Sequence, residues 1–230
     1  MDIIITGCSK GIGFELLKLS ASDPNNRIIA ISRDISSIED FIHKSKATQI
    51  TALAIDLTAD GFEKEIVRVI NTLNFRPNIL INNAGSLINK SFENLTSDDF
   101  DHMFNVNIKA PFLLIQHLLP YFSSNSHIVN IGSMGGFQGS AKFAGLSLYS
   151  ASKAALANFT ECLAEELKHK KIAVNCLALG AAQTEMLQEA FPGYIAPISA
   201  SSMANYIHQF AMTGHEFYNG KVLPVSLSTP

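Results

Sequence analysis

The chain has 230 residues, of which 47% are hydrophobic and 16% are charged, and a formal net charge of −3. These values exclude a disordered chain, and the slightly acidic balance speaks against nucleic acid or an acidic membrane surface as a partner. The three cysteines, Cys8, Cys162 and Cys176, form neither a disulfide framework nor a CxxC metal motif, so we expect reduced thiols, no metal site and a cytoplasmic protein.

Short apolar runs alternate with helical patterns from the first residues to the last. Seven runs predict strands, at residues 3–5, 27–32, 50–55, 79–81, 127–131, 172–179 and 221–226. The helical patterns cover residues 12–19, 36 onward, 62–73, 96–120, 148–169 and 201–211. Ser36 with Glu39 and Thr96 with Asp99 have capping-box spacing, and Pro111 predicts a break in its helix.

Continuous apolar strands that alternate with helices are typical of a parallel sheet covered by helices on both faces. No linker or repeat divides the chain, so we predict one doubly wound α/β domain, residues 1–230, with about seven strands in its sheet. The most apolar stretch, residues 112–122, is interrupted by Gln116, His117 and Pro120 and is too short to span a membrane. The N-terminal residues show no signal-peptide pattern.

Three glycines, Gly7, Gly11 and Gly13, lie between the first predicted strand and the first predicted helix. Glycines at this place let the backbone turn tightly and approach a pyrophosphate that rests on the helix N-terminus. Ordinary turns also use glycine, but the position between a strand and a helix at the start of an alternating pattern favours a dinucleotide ligand.

The GxxxGxG spacing, preceded by Thr6, resembles the short-chain dehydrogenase/reductase family. Further family motifs follow in order along nearly the whole chain: Asp56-Leu57, Asn82-Asn83-Ala84-Gly85, Asn107, Ser133, Tyr149 to Lys153 as YxxxK, Val174-Asn175, and Gly180 to Thr184. The resemblance implies a Rossmann fold and hydride transfer between a nicotinamide cofactor and a carbonyl or alcohol carbon. It also implies a set of cofactor contacts: Gly7, Ser9, Lys10, Gly11, Ile12, Gly13, Ser32, Arg33, Asp56, Leu57, Asn83, Ala84, Gly85, Tyr149, Lys153, Gly180 and Thr184.

The second predicted strand ends at Ser32, where an NAD enzyme usually carries a carboxylate for the adenosine ribose. Arg33 follows, and an arginine can pair with the 2′-phosphate of NADP. Lys10 adds a second cation in the glycine turn, where NADP-preferring family members often have a basic residue. Both cations could instead be ordinary exposed charges, and Asp34 lies beside Arg33. We predict NADP(H) in preference to NAD(H).

Tyr149 and Lys153 are four residues apart on a predicted helix and therefore share one face. The ammonium group should lower the pKa of the phenol and make it a usable proton donor or acceptor. By resemblance, Lys153 also holds the nicotinamide ribose, Ser133 stabilises the substrate oxygen, and Asn107 holds a water that links Lys153 to solvent. Each residue alone has an ordinary structural explanation, but the four together, in family order, predict a catalytic site.

The chain departs from the family pattern near the substrate. The loop between Ser133 and Tyr149 is longer than usual, Leu179 replaces the usual proline before Gly180, and the substrate-covering segment 184–220 is short. The candidate pocket residues suggest a partly apolar substrate, although core packing explains them equally well: Met134, Phe137, Phe143, Met186, Leu187, Phe191 and Tyr194.

The preferred function is a ketone or aldehyde reductase that acts on a small-molecule carbonyl or alcohol. The alternatives are a catalytically silent nucleotide-binding regulator of the same fold, and epimerisation or dehydration, whose family relatives carry a different glycine spacing and longer C-terminal domains. We expect a homodimer formed through the two long helices. A tetramer is the alternative, although the usual acidic and glycine ending of the chain is absent.

Overall fold

The computed structural model of the chain describes residues 1–227. Its main sheet has seven strands, which in chain order are β1 Asp2–Thr6, β2 Arg27–Ser32, β3 Ile50–Ala54, β4 Ile79–Asn82, β5 His127–Ser133, β6 Ala173–Leu179 and β9 Val222–Val225. Two further strands, β7 Ala182–Gln183 and β8 Ile198–Ser199, pair with each other outside this sheet. The predicted parallel sheet and its strands are therefore confirmed.

Eight α-helices connect the strands in the described part of the chain: α1 Gly11–Ala21, α2 Ser36–Ser45, α3 Phe62–Thr72, α4 Ser97–Phe104, α5 Ala110–Leu118, α6 Ser147–Leu167, α7 Glu185–Ala190 and α8 Ala200–Thr213. Over residues 1–227, none of the helices has both the length and the apolar character that a membrane span requires.

The spatial order of the main sheet is β3-β2-β1-β4-β5-β6-β9, and every pairing is parallel. The order reverses between β1 and β4, so the chain leaves the carboxyl ends of these two strands in opposite directions. In open α/β sheets a ligand crevice forms at such a point. The topology therefore positions the predicted glycine turn, which follows β1, at the mouth of this crevice.

Both faces of the sheet are covered, which explains the continuous apolar strands. Ile3 and Ile5 of β1 belong to a core with α1 and α8, whereas Ile4 between them belongs to a second core with α3, α5 and α6. All three isoleucines are fully buried. Successive side chains of one strand thus serve opposite layers, as the pleat of a strand requires.

The two predicted helix caps have different outcomes. Thr96 and Asp99 form the expected reciprocal capping box at the start of α4. The prediction for Ser36 is wrong, because Ser36 is the first residue of α2 and its hydroxyl donates to the carboxylate of Asp34 over 2.6 Å. Asp34 also accepts the backbone N–H of Ser36, so this local turn replaces the capping box.

The predicted break before Pro111 is confirmed as a π-helical turn, Asn105–Lys109, between α4 and α5. The backbone N–H of Ala110 donates to the carbonyl of Asn105, five residues earlier. Pro111 has no N–H to give to the carbonyl of Asn107, which a continuous α-helix would pair with it. The proline thus accounts for the wider turn.

The sequence pattern predicts no regular element between residues 180 and 198, but the structure contains β7, α7 and β8 there. The helix α7 has only six residues, too few to show a helical period. Its start carried a recognisable signal, because the Thr184 hydroxyl caps it by accepting the N–H of Leu187.

Candidate active site

A cleft of about 850 Å³ opens at the carboxyl edge of the sheet, over the point where the strand order reverses. Every residue that the sequence predicts to contact the cofactor lines this cleft, and so does Ser133. Asn107 lies fully buried behind it. The fold therefore collects residues from widely separated motifs around one cavity, while their individual roles stay predictions.

The glycine turn forms the floor of one end of the cleft. Gly7 has a φ of +73°, a conformation that favours glycine, and a Cβ on Gly13 would lie only 1.9 Å from the carbonyl oxygen of Gly7. The amide of Asn83 braces the turn from β4, donating to the carbonyls of Thr6 and Gly7 over 3.0 and 3.1 Å. A glycine-rich turn at a helix N-terminus leaves room for a dinucleotide pyrophosphate to approach the backbone closely.

The polar groups at the ends of β2 and β3 define the adenosine end of the cleft. Ser32 is buried, and both Arg33 and Asp34 after it are exposed, so one cation and one anion follow β2. The hydrogen bonds from Thr58 hold the pKa of Asp56 below its usual range, and the charge of Arg33 adds to the effect. Asp56 is therefore a carboxylate at neutral pH.

Lys10 has a partner that the sequence did not indicate. Its ammonium group lies 3.2 Å from the carboxylate of Glu189 on α7, and both side chains are more than half exposed. Glu185, at the start of α7, lies beside Gly11 of the glycine turn. Helix α7 thus brings two carboxylates to the glycine turn, where the sequence pattern indicated only cations.

Ser133 and Tyr149 meet at the opposite end of the cleft. Ser133 ends β5, Tyr149 lies in the first turn of α6, and the Ser133 hydroxyl is close enough to the phenol to lower its pKa. The N–H of Gly135 also donates to the Ser133 oxygen over 3.1 Å. These contacts fix the serine hydroxyl beside the phenol.

The expected lowering of the Tyr149 pKa is wrong for this structure. Burial raises the pKa of Tyr149, and the Ser133 hydrogen bond offsets only part of that effect. Lys153 is itself buried, with 4% of its surface exposed, and its ammonium group donates to the carbonyl of Ile131 over 2.8 Å. Burial lowers the pKa of Lys153 to about 8. Desolvation therefore outweighs the electrostatic effect on which the prediction relied.

The side chain of Asn107 is already engaged by protein groups. Its amide oxygen accepts the N–H of Ser86, and its amide nitrogen donates to the carbonyl of Ser86 and the hydroxyl of Ser152, all within 2.9 Å. Both amide hydrogens of Asn107 are therefore used within the protein, and its role in holding a water stays a prediction. Ser86 also hydrogen-bonds His102, a cleft residue that no motif indicated.

A chain of buried polar side chains lies beneath this end of the cleft. Asn82 of β4 donates to Asn130 of β5 over 2.8 Å, and Asn130 donates to the hydroxyl of Thr160 on α6 over 2.9 Å. Thr160 in turn donates to the carbonyl of Leu156. These hydrogen bonds connect α6, which carries Tyr149 and Lys153, to β4 and β5.

The apolar residues predicted for the substrate pocket line the cleft, with one exception. Phe137 lies outside the lining, whereas six predicted residues belong to it: Met134, Phe143, Met186, Leu187, Phe191 and Tyr194. Within the predicted covering segment 184–220, the lining stops at Ile198, and α8 packs on α1 in the core. Leu179 also lines the cleft.

Comparison with known proteins agrees with this geometry. Residues 2–194 match the family model of short chain dehydrogenases. The hydroxynaphthalene reductase-like protein Arp2 of Metarhizium robertsii is 32% identical over 187 residues, which are 78% of this chain and 66% of that protein. The L-xylulose reductase of Caenorhabditis elegans is 30% identical over 187 residues, 80% of this chain and 72% of that protein. The match thus spans about two thirds of the length of Arp2.

Solved structures share the fold over almost the whole chain. A short chain dehydrogenase from Burkholderia cenocepacia J2315, in complex with NADP, has a TM-score of 0.85 at 26% identity and covers 97% of this chain and 95% of its own. A mutant 4-hydroxyisoleucine dehydrogenase complexed with NADH and succinate has a TM-score of 0.87 at 24% identity, with coverages of 98% and 96%. The chain therefore belongs to the short-chain dehydrogenase family of oxidoreductases.

Proposed function

We propose that the protein is an NADP(H)-dependent oxidoreductase that interconverts a carbonyl and an alcohol, with ketone or aldehyde reduction as its main direction. The observation that carries this proposal is the meeting of Ser133, Tyr149 and Lys153 at one end of a cleft whose other end is the glycine turn. Such a cleft can hold a dinucleotide with its reactive ring beside two hydroxyl groups and an ammonium group.

When bound, the reduced nicotinamide supplies a hydride to the carbonyl carbon of the substrate. Tyr149 supplies the proton that completes the alcohol. Because burial raises the pKa of Tyr149 above its ordinary value of about 10, the phenol is protonated at neutral pH, as a proton donor must be. Ser133 and Lys153 then stabilise the charges that develop on the substrate oxygen and on the phenol.

Ser133 donates its hydroxyl proton to the substrate oxygen and stabilises the negative charge that develops there. One such preorganised donor contributes about 2.7–4 kcal/mol to transition-state stabilisation. Lys153, with a pKa of about 8, is mostly cationic at neutral pH. Its ammonium group lies close to Gly85 and donates to the carbonyl of Ile131, and it can stabilise the phenolate left after proton transfer.

Arg33 supports the preference for NADP(H). It is exposed, lines the cleft, and directly follows Ser32, the position where NAD enzymes usually carry a carboxylate. A solved relative at 26% identity holds NADP, which agrees with this assignment. Lys10 can contribute a second cation when its exposed pairing with Glu189 opens.

The first test is a binding titration with NADPH and NADH, followed by turnover with ketones, aldehydes and alcohols, measured through the absorbance of the reduced nicotinamide. Arg33→Ala should raise the Kd for NADPH about 10- to 100-fold and leave the Kd for NADH nearly unchanged. Arg68→Ala, an exposed arginine on α3 outside the cleft, is the matched control. An equal effect of Arg33→Ala on both cofactors would contradict the NADP(H) assignment.

A catalytically silent nucleotide-binding regulator is the alternative function. Tyr149→Phe separates the two, because it removes the proton donor while it retains the ring. The reductase should lose at least about 100-fold in kcat and still bind cofactor, since general acid catalysis typically contributes that much. A regulator would bind cofactor without turnover, and its biological effect would survive the substitution.

We further propose a cytoplasmic homodimer that uses α4, α5 and α6. Phe100 on α4 and Phe112 on α5 are 46% and 40% exposed, which leaves apolar area for a partner. Phe100 stacks on Phe104, and Phe112 packs edge-on against Phe159 of α6. Light scattering of the purified protein tests this arrangement, and Phe112→Glu should shift a dimer toward monomer. A tetramer unaffected by the substitution would contradict it.

A further inference from the structure

Charge divides the cleft into two unlike halves. Arg33, Asp34 and Asp56 lie at the ends of β2 and β3, and Lys10 and Glu185 lie at the glycine turn. His102 also lines the cleft, and its hydrogen-bond partner Ser86 contacts Asn107. Among the described residues that line the cleft from β5, the loop after it and α6, Lys153 is the only charged one.

Apolar side chains from two segments form further walls of the cleft. The insertion loop, residues 134–146, contributes Met134, Phe143 and Leu146, and the covering segment, residues 184–198, contributes Met186 and Tyr194 among others. A substrate carboxylate or phosphate buried here would find no cationic partner on these walls. Burying an unpaired charge is costly, so the walls disfavour anionic substrates.

Two aromatic side chains of these segments are only half buried. Phe143 is 48% exposed and Tyr194 is 49% exposed, although both line the cleft. Exposed aromatic area in a concave site is typical of a surface that a ligand covers. Lys142, next to Phe143, does not offer a charge to the cleft, because its ammonium group donates to the Phe137 carbonyl and the Ser140 hydroxyl of its own loop.

Hydrogen bonds hold both segments in place. The N–H of Lys90 donates to the carbonyl of Gly145, which anchors the insertion loop near Phe143. In the covering segment, Asn89 donates to the carbonyl of Ala190 over 2.8 Å, and the N–H of Ala196 donates to the side chain of Gln183 over 2.7 Å. The aromatic walls are therefore preorganised, which reduces the entropy lost when a ligand binds.

We propose that the substrate is an uncharged, predominantly apolar ketone that is large enough to contact both Phe143 and Tyr194. This inference rests on the proposed carbonyl reduction. The carbonyl carbon takes a hydride from NADPH, which becomes NADP⁺, and the oxygen takes the Tyr149 proton, so one ketone yields one secondary alcohol. Phe143 and Tyr194 determine specificity by covering the part of the ketone that lies away from the carbonyl.

The test compares three ketones: bicyclic β-tetralone, the smaller cyclohexanone, and a β-tetralone that carries a ring carboxylate. The unmodified protein should reduce β-tetralone with a kcat/KM at least about tenfold above those of the other two. Phe143→Ala and Tyr194→Ala should each raise the KM for β-tetralone about tenfold and reduce its advantage over cyclohexanone. Phe92→Ala removes an aromatic ring that is 80% exposed and lies outside the cleft, so it should change neither value.

Tyr194→Arg adds the cation that the walls lack, and it should improve kcat/KM for the carboxylated ketone at the expense of β-tetralone. If cyclohexanone or the carboxylated ketone is reduced as well as β-tetralone, ketone reduction stands and the proposed substrate class is overturned. The same conclusion follows if Phe143→Ala and Tyr194→Ala behave like Phe92→Ala. If no ketone or alcohol turns over with either cofactor, the proposed function itself fails and this inference fails with it.

Discussion

Thr160→Val should destabilise the protein because it breaks the buried polar chain beneath the active site. Valine has nearly the shape of threonine, so the substitution removes the hydroxyl and leaves the packing almost unchanged. Asn130, fully buried, then loses the acceptor of its amide nitrogen, while its bond to Asn82 survives. The carbonyl of Leu156 keeps its helical N–H partner and loses only the side-chain bond.

The expected cost follows from these contacts. A buried donor left without a partner costs about 1–3 kcal/mol. Replacing the buried hydroxyl of Thr160 by a methyl group returns up to about 0.8 kcal/mol of hydrophobic free energy. The free energy of unfolding should therefore fall by about 1–2 kcal/mol, and Tm should fall by about 2–8 °C for a chain of this length.

Urea denaturation and a thermal melt measure the effect, and the chain offers a matched control. Thr72 on α3 also donates its hydroxyl to the carbonyl four residues earlier, but it is exposed and has no asparagine partner. Thr72→Val should change the free energy of unfolding by no more than about 0.5 kcal/mol. If Thr160→Val and Thr72→Val lower the free energy of unfolding equally, the hydrogen bond from Asn130 to Thr160 does not stabilise the fold.

Gly13→Ala should raise the Kd for NADPH at least about tenfold and lower the free energy of unfolding by about 1–3 kcal/mol, because the new Cβ would lie 1.9 Å from the Gly7 carbonyl oxygen. An unchanged Kd in the NADPH titration would contradict a pyrophosphate site at the glycine turn. Burial lowers the pKa of His127 to about 4, so between that value and about 6.5 the unfolded state binds the proton and stability falls as the pH falls. The free energy of unfolding should be about 2 kcal/mol lower at pH ~5 than at neutral pH, as measured by urea denaturation at each pH. If a His127→Asn variant keeps the same pH dependence of stability, His127 is not its source. Thr96→Ala should cost about 1 kcal/mol by loss of its helix cap, whereas Ser36→Ala should cost less than about 0.5 kcal/mol; equal costs would mean that Ser36 is a cap after all.

The sequence was sufficient for the parts of the fold that local chemistry decides. The runs of isoleucine and valine identify the strands because a strand buried on both faces needs an unbroken apolar run. The capping box at Thr96 and the break at Pro111 are local, and the structure has both. The motifs at Gly7 and Tyr149 predicted that distant segments meet, and they line one cleft.

Features that depend on distant partners could not be predicted in this way. Lys10 and Glu189 are far apart in the chain, and only the position of α7 brings them together. The pKa of Tyr149 depends on how deeply the phenol is buried, which a spacing of four residues to Lys153 does not reveal. At Ser36 two local signals competed, and the carboxylate of Asp34, two residues away, prevailed over the capping box.

The π-helical turn at Asn105–Lys109 puts the helix face that carries Asn107 out of phase with the face that carries Phe112. Each residue of an α-helix advances the helix face by about 100°, so deleting one residue here to restore a regular helix would rotate Asn107 by that amount relative to α5. A single-residue deletion could keep either the Asn107 contacts to Ser86 and Ser152 or the orientation of Phe112, but not both. Insertions and deletions in this turn should therefore be far less tolerated than substitutions at its exposed positions.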